Sequence, residues 1–203
     1  MATQCNARGL PRRVVILGAG VALAAAPARA LAHVVPGAIG GFTGGFTHPL
    51  TGPDHLLAMF AVGLWGAQLG GRSMWALPVA FPMVMVVGGI LGMAGVQLPY
   101  SETAIALSML VLGAAIAARW HPSIFVPLFI VAVFAIFHGY AHGVELPQAA
   151  DPVAYATGFV LATGSIHVAG ILVGMMLAKP VDGRLARALG AIIAAGGVYY
   201  LAA

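Results

Sequence analysis

Charged side chains are scarce in this sequence. Asp, Glu, Lys and Arg together make up 7% of the 203 residues, whereas an ordinary soluble domain contains roughly 25%. Hydrophobic residues make up 61%, so too little polar surface is left to cover a globule in water. This composition excludes a soluble enzyme and a disordered chain. It also excludes a nucleic-acid-binding protein, because no basic patch is available for phosphates.

The sequence contains a single cysteine and no P-loop nucleotide-binding motif. The single cysteine is Cys5, and no G-x-x-x-x-G-K-[ST] loop occurs anywhere. The chain beyond residue 5 therefore has no disulfide and no thiolate metal ligand. Without the phosphate-binding loop, the sequence predicts no ATP binding of the P-loop type.

The segment 1–32 has the pattern of a secretory signal peptide. Three arginines lie between residues 8 and 13, apolar small residues follow at 14–26, and Ala-Leu-Ala occupies 30–32. Cleavage at this site predicts a mature chain that begins with His33. An uncleaved first membrane helix is the alternative.

Long apolar segments fill the rest of the chain. About 20 apolar residues are needed for a helix to cross the hydrocarbon core of a membrane. Six such segments lie at 53–70, 74–95, 101–118, 123–144, 152–178 and 185–202. We expect residues 33–203 to form one all-α domain, a polytopic helical bundle in the lipid bilayer, with homo-oligomerisation left open. The glycine-rich stretch 37–48 is too short to span and predicts a half-helix or re-entrant segment.

Basic residues alternate between the loops of this predicted bundle. Arg72 follows the first span, Arg119 follows the third, and Lys179, Arg184 and Arg187 lie around the start of the sixth. The intervening loops contain no Lys or Arg. The positive-inside rule then places the basic loops in the cytoplasm. The mature N-terminus is expected on the outer side, in agreement with a cleaved leader.

The fourth span carries a cluster of ionisable side chains. His138, His142 and Glu145 are four and three residues apart, so they share one face of a helix. Ionisable groups within a membrane are costly unless paired or hydrated, which makes them functional candidates. Imidazole and carboxylate ligands suit divalent first-row metals such as Ni²⁺, Co²⁺ or Zn²⁺. The alternative is two packed histidines and a solvated glutamate.

A second cluster lies at the start of the first span. Pro53 suits the first turn of a helix, so Asp54 and His55 fall in that opening turn and His48 lies just before it. The first span runs inward and the fourth runs outward, so both clusters are expected near the outer face. A helix start with a capping aspartate and an incidental histidine is the alternative.

Three further residues are weaker metal-ligand candidates. Glu102 begins the third span near the outer face, and His33 would offer both an amine and a ring nitrogen as the mature N-terminus. His167 lies about 22 Å into the fifth span, deeper than either cluster. This position indicates either a second binding site along the path of an ion or a core histidine held by a hydrogen bond.

Two motifs together resemble the HupE/UreJ family of bacterial inner-membrane proteins. One is His48-x5-Asp54-His55, and the other runs from Phe137-His138-Gly139 through Ala141-His142-Gly143 to Glu145. The stretch 50–71 is particularly similar. The resemblance implies nickel or cobalt uptake across the inner membrane, with the mature N-terminus in the periplasm. It also implies that the ion is handled by His48, Asp54, His55, His138, His142 and Glu145, while Glu102 matches an acidic position expected there.

The sequence thus favours a permease for Ni²⁺ or Co²⁺, driven by the membrane potential, over an enzyme. No prosthetic group is expected, although Zn²⁺ is another ion that such ligands would bind. An intramembrane zinc-dependent hydrolase is one alternative, with Ser165 and His167 as its extra polar groups. A haem-binding subunit with His55 and His138 as axial ligands is the other.

Overall fold

The computed structural model describes residues 40–146, 151–178 and 183–203. Within these ranges the chain is entirely α-helical, and no strand is present there. The helices are α1 (Gly41–Thr51), α2 (Pro53–Leu69), α3 (Ser73–Met93), α4 (Ser101–Ala117), α5 (Phe125–Glu145), α6 (Pro152–Ala178) and α7 (Arg184–Ala202). The predicted signal peptide and His33 lie outside the described residues.

Helices α2 to α7 correspond in order to the six predicted spans. Four of them, α3, α5, α6 and α7, are long and apolar enough to cross a membrane, and α4 is a shorter apolar helix. Helices α2 and α4 each have 17 residues. Their length of about 26 Å is a little short of the hydrocarbon core of about 30 Å. The predicted all-helical membrane bundle is therefore confirmed.

The glycine-rich segment forms the short helix α1, which begins and ends a few residues later than predicted. Its 11 residues extend about 16 Å, roughly half of the hydrocarbon core. The chain breaks at Gly52, whose backbone is extended (φ −95°, ψ 105°), and α2 starts with Pro53. Proline suits this first position because its missing N–H would have no partner there. The break places the end of α1 beside the start of α2.

Small residues bring the helices into close contact. The main pairings are α3 with α5, α4 with α7, and α6 with both α1 and α2. A Cβ atom added to Gly88 would collide with the carbonyl of Ile136, and one added to Gly139 would collide with that of Met85. Such contacts are typical of helices that pack in lipid without a hydrophobic driving force.

The spacing of Gly66 and Gly70, four residues apart, predicts that both pack against another helix. Gly66 faces the backbone of Met74, but no atom lies within 4 Å of a Cβ placed on Gly70. Gly70 instead ends α2 with a positive φ of 69°, a conformation that glycine adopts without steric cost. The expectation that Gly66 and Gly70 pack together against another helix was therefore wrong for Gly70.

The charged residues of the described chain separate to the two ends of the bundle. One end, called the acidic end below, contains the starts of α2, α4 and α6 and the end of α5, with Asp54, Glu102, Glu145 and Asp151. The opposite end, called the basic end, contains Arg72, Arg119, Arg184 and Arg187. The alternation of charge predicted for the loops is thus present in the fold.

Candidate metal site

Three side chains converge at the acidic end of the bundle. His48 lies in the last turn of α1, and its Nε2 atom is 3.1 Å from Nδ1 of His142 and 3.1 Å from Oε2 of Glu145. His142 and Glu145 share the last turn of α5, with 3.8 Å between Nδ1 and Oε2. Among the described residues, these form the one group of at least three His, Cys, Asp or Glu with ligand atoms this close together. We call His48, His142 and Glu145 the outer trio.

The spacing in the outer trio suits a single first-row metal ion. Two ligand atoms that each bind an ion at about 2.1 Å, at right angles, lie about 3.0 Å apart. Both contacts of His48 Nε2 are 3.1 Å, close to that value. Two imidazole nitrogens with one carboxylate oxygen favour transition metals over Mg²⁺ and Ca²⁺, which prefer oxygen ligands.

The first turn of α2 adds an oriented imidazole. Oδ1 of Asp54 lies 3.0 Å from Nδ1 of His55. The same oxygen accepts a hydrogen bond of 2.8 Å from the backbone N–H of His55. A carboxylate only accepts, so Nδ1 of His55 carries the proton and Nε2 keeps a lone pair. That Nε2 is buried and has no hydrogen-bond partner among the described residues. Carboxylate–histidine pairs of this kind orient metal-binding imidazoles.

A backbone carbonyl orients the imidazole of His138 in the same way as Asp54 orients that of His55. The ring of His138 is fully buried, and Nδ1 lies 2.9 Å from the carbonyl oxygen of Phe134, one turn earlier in α5. Since a carbonyl accepts, Nδ1 donates and Nε2 is left with its lone pair. Nε2 is buried without a described partner. His55 and His138, called the histidine pair, therefore present the same ring nitrogen.

The outer trio and the histidine pair touch one another. The ring of His55 lies 4.7 Å from that of His142 and 5.2 Å from that of His138, measured between centroids. The ring of His48 is 4.9 Å from that of His142. Four imidazoles from α1, α2 and α5 thus form one continuous group, as expected from two clusters at the same depth.

Sequence comparison identifies the relatives of this chain. A family model described as "HupE / UreJ protein" matches residues 21–200. "Protein HupE" from Rhizobium leguminosarum bv. viciae is 41% identical over 154 residues, which cover 76% of this chain and 81% of that protein. This chain belongs to the HupE/UreJ family. No solved structure matches it significantly.

The remaining predicted ligands of this HupE/UreJ protein do not join the outer trio. Glu102 lies in the first turn of α4 with an exposed side chain, within electrostatic range of Asp54 and His55. His167 is fully buried farther along α6, where its ring packs 5.3 Å from that of Phe81. His33 is outside the described residues, so its predicted role stays a prediction.

Two aromatic residues of the HupE/UreJ site were missed by sequence reasoning. Phe159 in α6 packs 4.3 Å from the ring of His142, and Phe81 in α3 packs 5.3 Å from that of His138. Both look like ordinary core residues in an apolar helix. A signal did exist for Phe159, because Tyr155, Phe159, Thr163 and His167 recur every four residues on one face of α6.

The structure gives no support to the hydrolase or haem alternatives for this HupE/UreJ chain. Ser165 is exposed, and its hydroxyl donates to the Leu161 carbonyl at 2.8 Å rather than to a histidine. The rings of His55 and His138 contact each other edge to face, with 5.2 Å between centroids and 80° between planes, rather than facing each other as two axial ligands. The geometry instead brings together side chains that could hold a single small ion.

Proposed function

We propose that this HupE/UreJ protein is a secondary transporter that carries a divalent transition-metal ion, Ni²⁺ or Co²⁺, across the bacterial inner membrane. The observation that carries the proposal is the convergence of His48, His142 and Glu145 within 4.8 Å at one end of an apolar bundle. Ionisable side chains at such positions mark ion pathways in membrane proteins. The transported ion is the substrate, so no bond needs to be broken and no prosthetic group is needed.

The distribution of charge supports uptake rather than export. Arginines gather at the basic end, and the positive-inside rule places this end in the cytoplasm. The acidic end and the mature N-terminus then face the periplasm. A dication that binds there moves down the membrane potential as it travels inward, by about 2.3 kcal/mol per charge for each 100 mV. This drive explains how transport proceeds without a nucleotide-binding motif.

The burial of the site supports exchange with water on the acidic side. The side chains of His48 and Glu145 are each 30% exposed, whereas His142 is 9% exposed. An arriving ion can therefore trade water for His48 and Glu145 first and for His142 afterwards. The negative charges of Glu145 and Asp54 offset part of the charge of the ion, which lowers the cost of leaving water. Several ligand groups in series also allow release, which a single tight site would prevent.

Reconstituted vesicles test this function. Purified full-length protein in proteoliposomes with an inward-negative potassium diffusion potential should show saturable entry of Ni²⁺ and Co²⁺. Mg²⁺ should not enter, because imidazole nitrogens are poor ligands for it. Collapse of the potential should slow entry. Absence of saturable Ni²⁺ or Co²⁺ entry in the wild-type protein would contradict the proposed function.

A matched pair of acidic variants ties transport to the outer trio. Glu145→Gln keeps the side-chain volume but removes the charge, and we expect the initial rate to fall at least about tenfold. Asp151→Asn is the control, because Asp151 is exposed at the same end and only caps α6 through the N–H of Ala154. Its rate should stay at the wild-type level. Equal loss in both variants would point to surface charge rather than to the trio.

A further inference from the structure

A second group of buried polar side chains lies deeper in the bundle, on α6. His167 and Thr163 are both fully buried. Neither ring nitrogen of His167 has a hydrogen-bond partner among the described residues, and neither does the hydroxyl of Thr163. Buried polar groups are nearly always satisfied in native proteins, so groups without a partner need an explanation. They are one helical turn apart and face the same side of α6.

The hydroxyl of Thr163 differs from its neighbours on the same helix. Thr157 donates to the carbonyl of Val153, and Ser165 donates to the carbonyl of Leu161, both at 2.8 Å. This bond to the carbonyl four residues earlier is the usual choice for a helical Ser or Thr in an apolar setting. Thr163 does not make it. Its oxygen is therefore left available on the face that also carries His167.

Helix α3 supplies a third oxygen at this depth. Pro82 lies inside α3 and has no N–H, so the carbonyl of Pro78, four residues earlier, loses its normal helical partner. The backbone of Pro78 lies near the imidazole of His167, although neither ring nitrogen has a hydrogen-bond partner among the described residues. Backbone carbonyls freed in this way line ion sites in membrane transporters. The imidazole of His167 and a freed carbonyl thus lie near each other between α3 and α6, and the hydroxyl of Thr163 lies one turn away on the same face of α6.

A single aromatic ring separates this point from the histidine pair. The ring of Phe81 lies 5.3 Å from that of His138 and 5.3 Å from that of His167. On α6, His167 lies about 12 Å farther from the acidic end than Phe159, which packs against His142. An ion that leaves the histidine pair toward the basic end therefore meets Phe81 first and His167 next.

We propose that His167, Thr163 and the Pro78 carbonyl form an inner station that receives the transported cation from the histidine pair past Phe81. The inference rests on the proposed transport function. His167 supplies a nitrogen lone pair in its neutral form, and the two oxygens complete a weak ligand set. Weak, successive sites suit conduction, because each holds the ion without trapping it. The inner station is distinct from the outer trio, which binds the ion first.

Full-length protein tests the station with two readouts. In His167→Gln, equilibrium Ni²⁺ binding at the outer trio should stay within about twofold of wild type, while Ni²⁺ entry into proteoliposomes slows at least about tenfold. Thr163→Val removes one oxygen at nearly constant volume and should slow entry by a smaller factor. Ser165→Ala, on the exposed face of α6, is the control and should behave as wild type. Wild-type rates in His167→Gln would overturn the station.

A change of ion preference separates contact with the cation from a packing role. His167→Asp replaces a nitrogen ligand with oxygen, which Mn²⁺ tolerates far better than Ni²⁺. The ratio of Mn²⁺ to Ni²⁺ entry should therefore rise at least about fivefold, whereas a purely structural imidazole would leave it unchanged. Should both His167 variants fail to fold, an unchanged rate in Thr163→Val overturns the station. Absence of Ni²⁺ entry with the wild-type protein would instead contradict the proposed transport function.

Discussion

The two ends of the bundle use the same residue type in opposite ways. At the basic end, both ring nitrogens of His121 lie within hydrogen-bonding distance of backbone carbonyls, 2.6 Å from Arg119 and 3.0 Å from Gln68. At the acidic end, His142 faces His48 through Nδ1 and has no described partner at Nε2. The exposed His121 thus has a backbone carbonyl near each ring nitrogen, whereas the buried His142 has none near Nε2.

Two other side chains at the basic end also donate to the backbone, although Oε1 of Gln68 is buried without a described partner. At the basic end, the indole N–H of Trp65 donates to the Trp120 carbonyl, and the amide of Gln68 donates to that of Ile116. The first bond joins α2 to the segment that follows α4, and the second joins α2 to α4. At the acidic end, imidazoles and carboxylates contact each other instead. Histidine content alone therefore does not mark a site, whereas buried ring nitrogens without hydrogen-bond partners do.

The largest difference between the two ends is expected when one histidine at each end is replaced by alanine. His142→Ala removes a nitrogen of the outer trio, and we expect Ni²⁺ affinity to fall by more than about 100-fold, beyond the loss typical of an outer-shell partner. His121→Ala should leave affinity unchanged, because it removes bonds only to backbone carbonyls at the far end. Equilibrium dialysis of purified protein measures both. Similar affinities in the two variants would contradict the assignment of the outer trio.

A smaller effect is expected from the packing that supports the site. Gly139 lies between His138 and His142, and a Cβ there would collide with the Met85 carbonyl. Gly139→Ala should therefore separate α3 from α5 and lower the free energy of unfolding by about 1–3 kcal/mol.

A matched glycine shows whether this loss comes from the close approach of the helices. Gly164 in α6 has no atom within 4 Å of an added Cβ. Gly164→Ala should be neutral or stabilising by up to about 1 kcal/mol, since alanine favours a helix. Thermal unfolding in detergent compares the two variants. A Gly139→Ala protein as stable as wild type would show that the α3–α5 contact is looser than described.

The carboxylate of Asp54, which contacts Nδ1 of His55, is expected to matter less than a direct ligand. Asp54→Asn keeps an oxygen that can accept from Nδ1 of His55 but removes the negative charge. We expect Ni²⁺ affinity to fall about tenfold, the lower end of the range for partners that orient a ligand. Titration of the purified variant measures the change. An effect as large as that of His142→Ala would mean that Asp54 itself binds the ion.

The smallest effect is expected at the basic end. Arg187 is exposed, and its Nε donates a 2.8 Å hydrogen bond to the carbonyl of Ala117. Arg187→Ala should cost less than about 1 kcal/mol of unfolding free energy and leave Ni²⁺ affinity unchanged. Chemical unfolding and metal titration of the same preparation give both values. A loss of affinity would mean that the two ends are coupled.

Sequence reasoning recovered most of the architecture, because its signals are local. Six apolar segments correspond to α2–α7, and the break before Pro53 follows from proline at the first helical position. The position of Asp151 just before the fifth span predicts a helix cap, and its Oδ1 accepts the N–H of Ala154. Gly70 was misread because a glycine pair four residues apart has the same pattern whether it packs a helix or ends one.

The site was recovered in its members but not in its arrangement. Helical spacing places His142 and Glu145 on one face of α5. The direction of the spans predicts that His48 lies at the same depth in the membrane, near them. Which atoms meet depends on the separate orientation of α1, so the 3.1 Å contacts of His48 could not be read from spacing. The ring of Phe81 between His138 and His167 was missed for the same reason, because Phe81 belongs to a different helix, α3.

By itself, the sequence determined that this chain is a helical membrane protein with its scarce ionisable groups near one face, because hydrophobic length and charge distribution are properties of the chain alone. The tertiary structure decided which of those groups share a site. Close helix packing at glycines fixes the rotation and depth of each helix, and only that rotation turns six polar residues into a trio, a pair and a supporting carboxylate. It also decided that His167 stands apart from them, behind a phenylalanine ring.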